Sequence, residues 1–419
     1  MHWLAILLRS AWNRRLTLGL AVLSIALSVL LLLGVERLQQ AARDSFTQSV
    51  SGTDLVVGPR ASPVQLLLYA VFRLGEPTDD MSWNSYRQLA QHPAVAWTIP
   101  LALGDSHHGF AVLGTDGNYF RHFRYGDKQP LAFAAGQPFN AIFDAVIGAE
   151  VASSLGYKLG DKIVLSHGSG HVELHEHDDK PFRVVGILGR TGTPVDRSVH
   201  VGLAAIEAIH LDWQGGAPLP GFSIPAQYVQ KFNLTPKHLT AALVGLKNRG
   251  GVFRMQRFIN GYRDEALSAV LPGVALDQLW QLLATAENVL RAISLLVLVT
   301  GCCGMIAVLL ASLNERRREL AILRSVGAGA GTVLSLLLAE GALVMLAGCV
   351  LGVVCLWALS LGAGPQIAAH FGILLPGTPL TLAEVRWLGW VIAGGAAASL
   401  LPGWRAYRLS LADGLTPRV

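Results

Sequence analysis

The stretch NERRRELAILRSVGAGAG, residues 314–331, puts four arginines and two glutamates into its first eleven positions, between the strongly apolar runs 292–313 and 341–363. Charges at that density do not enter hydrocarbon, so the apolar runs on either side are separate membrane crossings joined at a surface. A bilayer core of ~30 Å takes about 20 helical residues to cross. Working outward from the charged stretch, four runs meet that length: 16–34, 292–313, 333–361 and 387–404. The composition agrees, with 52% hydrophobic and 15% charged residues among 419, and a mean hydropathy of +0.44.

The flanking charges set the orientation. Arg9, Arg14 and Arg15 precede the first run, Arg316, Arg317, Arg318 and Arg324 follow the second, and Arg405 and Arg408 follow the fourth, whereas 362–384 carries no Lys or Arg. The positive-inside bias puts both termini and 314–331 in the cytoplasm. It leaves 36–290 on the far side, which in a bacterium is the periplasm or the cell exterior; the expected location is a bacterial inner membrane with this domain in the periplasm. The first run is expected to stay as an anchor, because no A-x-A cleavage site follows it. The pI near 9.1 is accounted for by these flanks, so lipid is the expected anionic partner and nucleic acid is not.

The expected fold class is therefore an α-helical membrane protein with four transmembrane helices and a mixed α/β extracytoplasmic domain inserted between helices 1 and 2. The expected divisions are 1–15, an amphipathic helix at the cytoplasmic interface with Trp3, Leu4, Leu7, Leu8 and Trp12 on its apolar side; 16–35, the first span; and 36–290, the periplasmic domain with stalk helices near 36–49 and 276–288. They continue with 291–313, the second span; 314–331, the charged segment; 332–361, the third span; 362–385, a short periplasmic loop; 386–404, the fourth span; and 405–419, a cytoplasmic tail. Within the domain, GTDLVVG, AVAWTIPLAL, GFAVLGT, DAVIGAE, DKIVLSHG, HVELHEH, FRVVGILG, RSVHVGL and TAALVGLK read as strands, and 83–90, 149–155 and 252–266 as helices. Gly348 and Gly352 form a GxxxG that predicts tight helix packing or dimerisation. All four cysteines fall in the spans, which leaves the external domain without a disulfide framework.

On a helix, Glu315 and Glu319 lie one turn apart beside Arg316, Arg317 and Arg318, while Leu313, Leu320, Ile322 and Leu323 supply an apolar side; glycines at 327, 329 and 331 then break it. Such a segment is either a bare positive-inside loop or a surface helix whose arginines reach lipid phosphates or a protein groove. RRRELAILRSVGA (316–328), the apolar run TVLSLLLAEGALVMLAGCVLGVV (332–354) and the ending PGWRAYRLSLADGL (402–415) resemble the permease domain of FtsX-like and MacB-like (type VII) ABC transporters. The likeness covers 288–415 and reaches more loosely to the first span and three external strands.

That resemblance implies two permease copies, a homodimer, working with a cytoplasmic ABC ATPase dimer. It makes Glu315, Arg316, Arg317, Arg318, Glu319, Leu320, Leu323, Arg324 and Gly327 a coupling helix docked on the ATPase. The chain has no G-x-x-x-x-G-K-[ST], so ATP belongs on a separate polypeptide and no nucleotide is expected on this one. The function implied is mechanotransmission, in which ATP use inside drives conformational work or substrate movement in the periplasm, with a periplasmic or outer-membrane partner. Alternatives left open are an FtsX-like regulator of a cell-wall enzyme and a lipoprotein-release or efflux permease. A membrane-anchored hydrolase is disfavoured, since no G-x-S-x-G setting is present. Two departures from the family pattern are AGAGT at 328–332, where a basic pair is common, and Ser410 in place of a proline.

Glu340 stands eight residues into the third run, where an acid is expensive; its expected role is structural, pairing near the cytoplasmic surface. Eleven of the 13 histidines lie between His92 and His238, densest in HGSGHVELHEHDD, 167–179. A hairpin turning at 168–170 would place His171, Glu173, His175 and His177 on one face beside His167, with His107 and His108 as further donors. Imidazole and carboxylate at this spacing make a candidate zinc site, as against a merely solvated polar hairpin.

Overall fold

The computed structural model describes residues 15–75, 77, 79–168, 175–214, 217–219, 222–315, 322, 325, 327–371 and 380–408. Four described helices are long and apolar enough to cross a membrane. They lie in α1 (Arg15–Gln48), α2 (Pro272–Glu315), α3 (Ala330–Phe371) and α4 (Leu382–Arg408). The chain divides into a helical unit, from Met1–Ala41, Ala284–Gln366 and Leu375–Val419, and an α/β unit, from Ala42–Leu283 and Ile367–Leu374. Both divisions nearest the large domain fall inside a helix, α1 at one end and α2 at the other.

In the helical unit, α1 buries Leu18, Ala21, Ile25, Val29 and Leu32 at helical spacing and leaves Leu16, Leu20, Leu23, Leu27 and Leu31 exposed. A helix apolar on all sides suits lipid outside and neighbours inside. Small residues set those neighbours' distances. A Cβ on Gly348 would stand 2.6 Å from Ile25 Cγ2, and one on Gly352 2.8 Å from the Ala26 carbonyl oxygen, so the GxxxG of α3 receives α1 of the same chain. Gly341 likewise faces Ser399, and Gly395 faces Met345, across α3 and α4. At the start of α4, Thr381 and Glu384 form a reciprocal cap: Glu384 N donates to Thr381 Oγ1 at 3.2 Å and Thr381 N to Glu384 Oε2 at 2.7 Å. The same carboxylate takes a two-pronged bond from Arg37, at 2.8 and 3.0 Å, with both side chains buried.

In the α/β unit, an antiparallel sheet runs in the order Leu267–Val270, Leu55–Pro59, Ala241–Leu246, Val95–Leu101. Alternation sorts its side chains. Val56 and Leu243 join a core with Phe46, Leu66, Leu276 and Leu279, while Leu55, Val57 and Val244 face Tyr86, Met255 and Ile259 on the other side. A second, mixed sheet follows the order Lys162–Ile163, Phe182–Leu188, Asp144–Ile147, Ser198–Gly202, Phe110–Thr115, Asp105–His107, Ser166–His167, His175–Glu176. Its Val112, Ile147, Val184 and Val201 pack under the helices Ala149–Leu155 and Leu203–Ile209.

Two segments differ from the sequence expectation. The helix expected over 252–266 ends at Asn260, where Gly261 caps it; the chain then turns and adds Leu267–Val270 to the sheet edge, held by Ala269 N donating to Asn260 Oδ1 at 2.7 Å. Part of the expected loop 362–385 is helix: α3 continues to Phe371, past Gly362, Gly364 and Pro365, and α4 begins at Leu382.

Candidate functional site

Asp105, His167, His177 and His210 offer four ligand atoms that all lie within 4.8 Å of one another. Each comes from a different structural setting. Asp105 opens the short strand Asp105–His107, and His167 ends the neighbouring strand Ser166–His167. His177 follows the edge strand His175–Glu176, and His210 caps the C-terminal end of the helix Leu203–Ile209.

Local bonds fix these positions. His177 N donates to the Leu165 carbonyl at 2.8 Å, which carries the ladder one step past the strand and turns the imidazole inward. Two residues on from His210, Asp212 is buried, and its carboxylate accepts from Lys180 Nζ at 2.9 and 3.0 Å and from Ile224 N at 3.0 Å. Lys180 itself is only 1% exposed, so this pair ties the segment after His177 to the segment after His210. The indole of Trp213 packs against all three histidine rings, with centroids 5.1, 4.6 and 5.3 Å from His167, His177 and His210.

The donor atoms are close. His167 Nδ1 lies 3.2 Å from Asp105 Oδ1 and 3.2 Å from His210 Nε2; His210 Nε2 is 3.5 Å and His177 Nε2 4.0 Å from the same carboxylate oxygen. Ligands ~2.0–2.1 Å from a tetrahedral centre stand ~3.3 Å apart, so these edges have nearly the size of a metal's first shell. His210 Nδ1 donates to the Ile206 carbonyl at 2.9 Å, which leaves the lone pair on Nε2 facing the cluster. Burial, and then the neighbouring His210, push the His177 imidazole down to about 4, so it is neutral near pH 7. Its Nε2 is buried and makes no hydrogen bond among the described residues, a cost of about 1–3 kcal/mol. The hydrogen bond to Asp105 instead raises His167.

Of the histidines singled out by sequence, the structure brings His167 and His177 together. His175 pairs across the ladder from His167 but is exposed and stands outside the group. His171 and Glu173 lie outside the described residues. His107 is committed elsewhere, its Nδ1 at 2.6 Å from the Val164 carbonyl and its Nε2 at 3.0 Å from the Tyr157 hydroxyl, and the His108 ring lies tilted against it. Asp105 and His210 escaped sequence reading because they stand 62 and 43 residues from His167, with no spacing rule to link them.

In the charged segment, Glu315 is the last residue of α2, and Gly327 has φ +101, a left-handed turn ahead of α3. Arg316, Arg317, Arg318, Glu319, Leu320, Leu323 and Arg324 lie outside the described residues, as does 1–14 of the expected interfacial helix. Glu340 is buried within α3.

Two family models match the chain: the MacB-like periplasmic core domain over residues 16–216 and the FtsX-like permease C-terminal over 291–411. Among curated proteins, the macrolide export ATP-binding/permease protein MacB of Neisseria gonorrhoeae is 28% identical over 134 residues, 31% of this chain and 20% of that protein. The protein of the same name from Chromobacterium violaceum is 41% identical over 80 residues, 17% of this chain and 12% of that one. The chain thus matches a fifth or less of these relatives' length. Among solved structures, the periplasmic region of MacB from Actinobacillus actinomycetemcomitans aligns with a TM-score of 0.33 and 7% identity over 56% of this chain and 97% of that one. The extracellular domain of the noncanonic ABC-type transporter YknZ from Gram-positive bacteria aligns with a TM-score of 0.29 and 12% identity over 52% and 98%.

Proposed function

This chain belongs to the MacB/FtsX-like ABC permeases, multi-pass membrane proteins with a large extracellular domain, and we propose that it is the subunit through which a separate cytoplasmic ATPase dimer does mechanical work across the bilayer. In this reading both termini are cytoplasmic, two copies of the chain pair, and Glu315 to Gly327 is the element that engages the ATPase.

The observation that carries it is the continuity of α2. Its 44 residues form one uninterrupted helix, ~66 Å at 1.5 Å per residue. It begins with Leu276 and Leu279 in the α/β core, crosses the apolar stretch, and ends at Glu315, where the charged segment starts. Helix α1 is similarly unbroken from Arg15 to Gln48. A single helix thus carries both residues of the α/β core and the start of the charged segment, as a mechanical link requires. The histidine-rich composition of the external domain, with eleven of the 13 histidines between His92 and His238, supports a link between this work and transition-metal handling.

Reversing charge with Arg317→Glu or Glu319→Arg is expected to abolish stimulation of the partner ATPase in reconstituted membranes while leaving permease assembly intact. Full stimulation by both variants overturns the coupling role. Cysteines placed at Arg317 and His175 are expected to react with an impermeant label from opposite sides; labelling from one side overturns the topology.

A further inference from the structure

We propose that Asp105, His167, His177 and His210 bind a zinc-class dication as a closed, four-ligand N3O centre that clamps three separate segments of the external domain. This goes beyond the permease reading and does not depend on it.

The geometry of the donors carries the argument. His210 Nδ1 donates to the Ile206 carbonyl, which points its Nε2 into the cluster. His167 Nδ1 lies equally close to Asp105 Oδ1 and to His210 Nε2, each at 3.2 Å. His177 Nε2, buried in the same group, makes no hydrogen bond among the described residues and stands 4.0 Å from Asp105 Oδ1. Four ligand atoms thus converge within 4.8 Å of one another, one of them buried and unsatisfied. A single divalent cation at its centre would use all four donors at once.

The surroundings fit that occupant. Ile206 supplies the outer hydrogen bond that orients a ligating imidazole. Trp213 packs against the three rings, and the buried Lys180–Asp212 pair fixes the backbone on which His177 and His210 sit. Three imidazoles with one carboxylate suit zinc, copper or nickel better than the hard cations calcium and magnesium. Because four protein ligands fill a tetrahedron, no position stays open for an activated water, so the metal's role is to hold the fold and not to catalyse hydrolysis.

The test uses the full chain purified in detergent, stripped with chelator and titrated with Zn²⁺ and with Co²⁺. The expected result is one metal per chain and, with Co²⁺, the intense visible bands of a tetrahedral site. His177→Gln and His210→Gln should each weaken Zn²⁺ binding by 100-fold or more, and Asp212→Asn, which touches none of the four ligands, by about 10-fold. His175→Ala and His108→Ala should bind as the parent does. Octahedral Co²⁺ spectra, absent stoichiometric binding in the unaltered chain, or loss of binding in His171→Ala or Glu173→Ala with retention in His210→Gln would each overturn the assignment. The cobalt spectrum needs no variant, so a misfolded substitution cannot mask the answer.

Discussion

The helical unit and the α/β unit solve the burial of polar groups in opposite ways. Between α1, α3 and α4 the close contacts are made by Gly348, Gly352, Gly341 and Gly395, and a two-pronged pair, Arg37 with Glu384, joins the body of α1 to the start of α4. In the α/β unit the sheets are sealed by Val, Leu and Ile, and buried polar groups are bonded in local sets, among them Asp105, His177, Lys180 and Asp212 beside the histidine cluster and Thr191, Thr193 and Asp196 in one turn. Lipid is as apolar as leucine, so in the membrane it is shape and pairing that choose neighbours. In water, apolar burial already drives folding, and a polar cluster inside costs stability that some ligand or function has to offset.

Three experiments strain that contrast. The largest expected effect comes from Glu384→Ala, which strands a buried guanidinium and removes the carboxylate half of the reciprocal cap of α4; it should lower the stability of the detergent-solubilised protein by about 3–5 kcal/mol. The sharper version is Arg37→Met with Glu384→Leu, which should recover most of that loss in thermal unfolding. No recovery would mean that the pair does more than fasten helices. Next, Gly348→Leu drives a side chain into Ile25 and should cost about 1–3 kcal/mol, read as a fall in unfolding temperature. An unchanged transition would show that α1 and α3 are not closely packed there.

The smallest effect concerns the α/β unit. Burial, only partly offset by the Asn118 amide and Arg121, raises the Asp116 carboxyl to about 6 from an ordinary value of 3.8. Between those values the folded chain holds more protons at this site than the unfolded chain does. Stability contributed by the site therefore falls as pH rises from about 4 to about 6, then levels off. Asp116→Asn should flatten that slope in denaturant titrations run at several pH values; an unaltered slope would assign it to another group.

Much of the architecture was legible along the chain. Each of the nine segments read as strands contains one, because valine-rich runs bounded by glycine announce themselves locally, and 83–90 and 149–155 are helices over those residues. The strand Leu267–Val270 was hidden, since its four residues follow a short turn after an amphipathic helix and its pairing partner, Leu55–Pro59, is some two hundred positions away. The density of histidines in 167–179 pointed to the right neighbourhood of the candidate centre, but alternation along one hairpin could not predict partners on other strands.

The sequence by itself determined four apolar crossings, a charged segment between the second and third, and an α/β domain, because hydropathy and periodicity are properties of neighbouring residues. Tertiary structure alone decided that the GxxxG of α3 receives α1 of the same chain, that Arg37 meets Glu384, and that Asp105 and His210 complete what His167 and His177 begin. Those are contacts between residues tens to hundreds of positions apart, and only the folded chain, by bringing its segments within a few ångströms, gives their chemistry a common site.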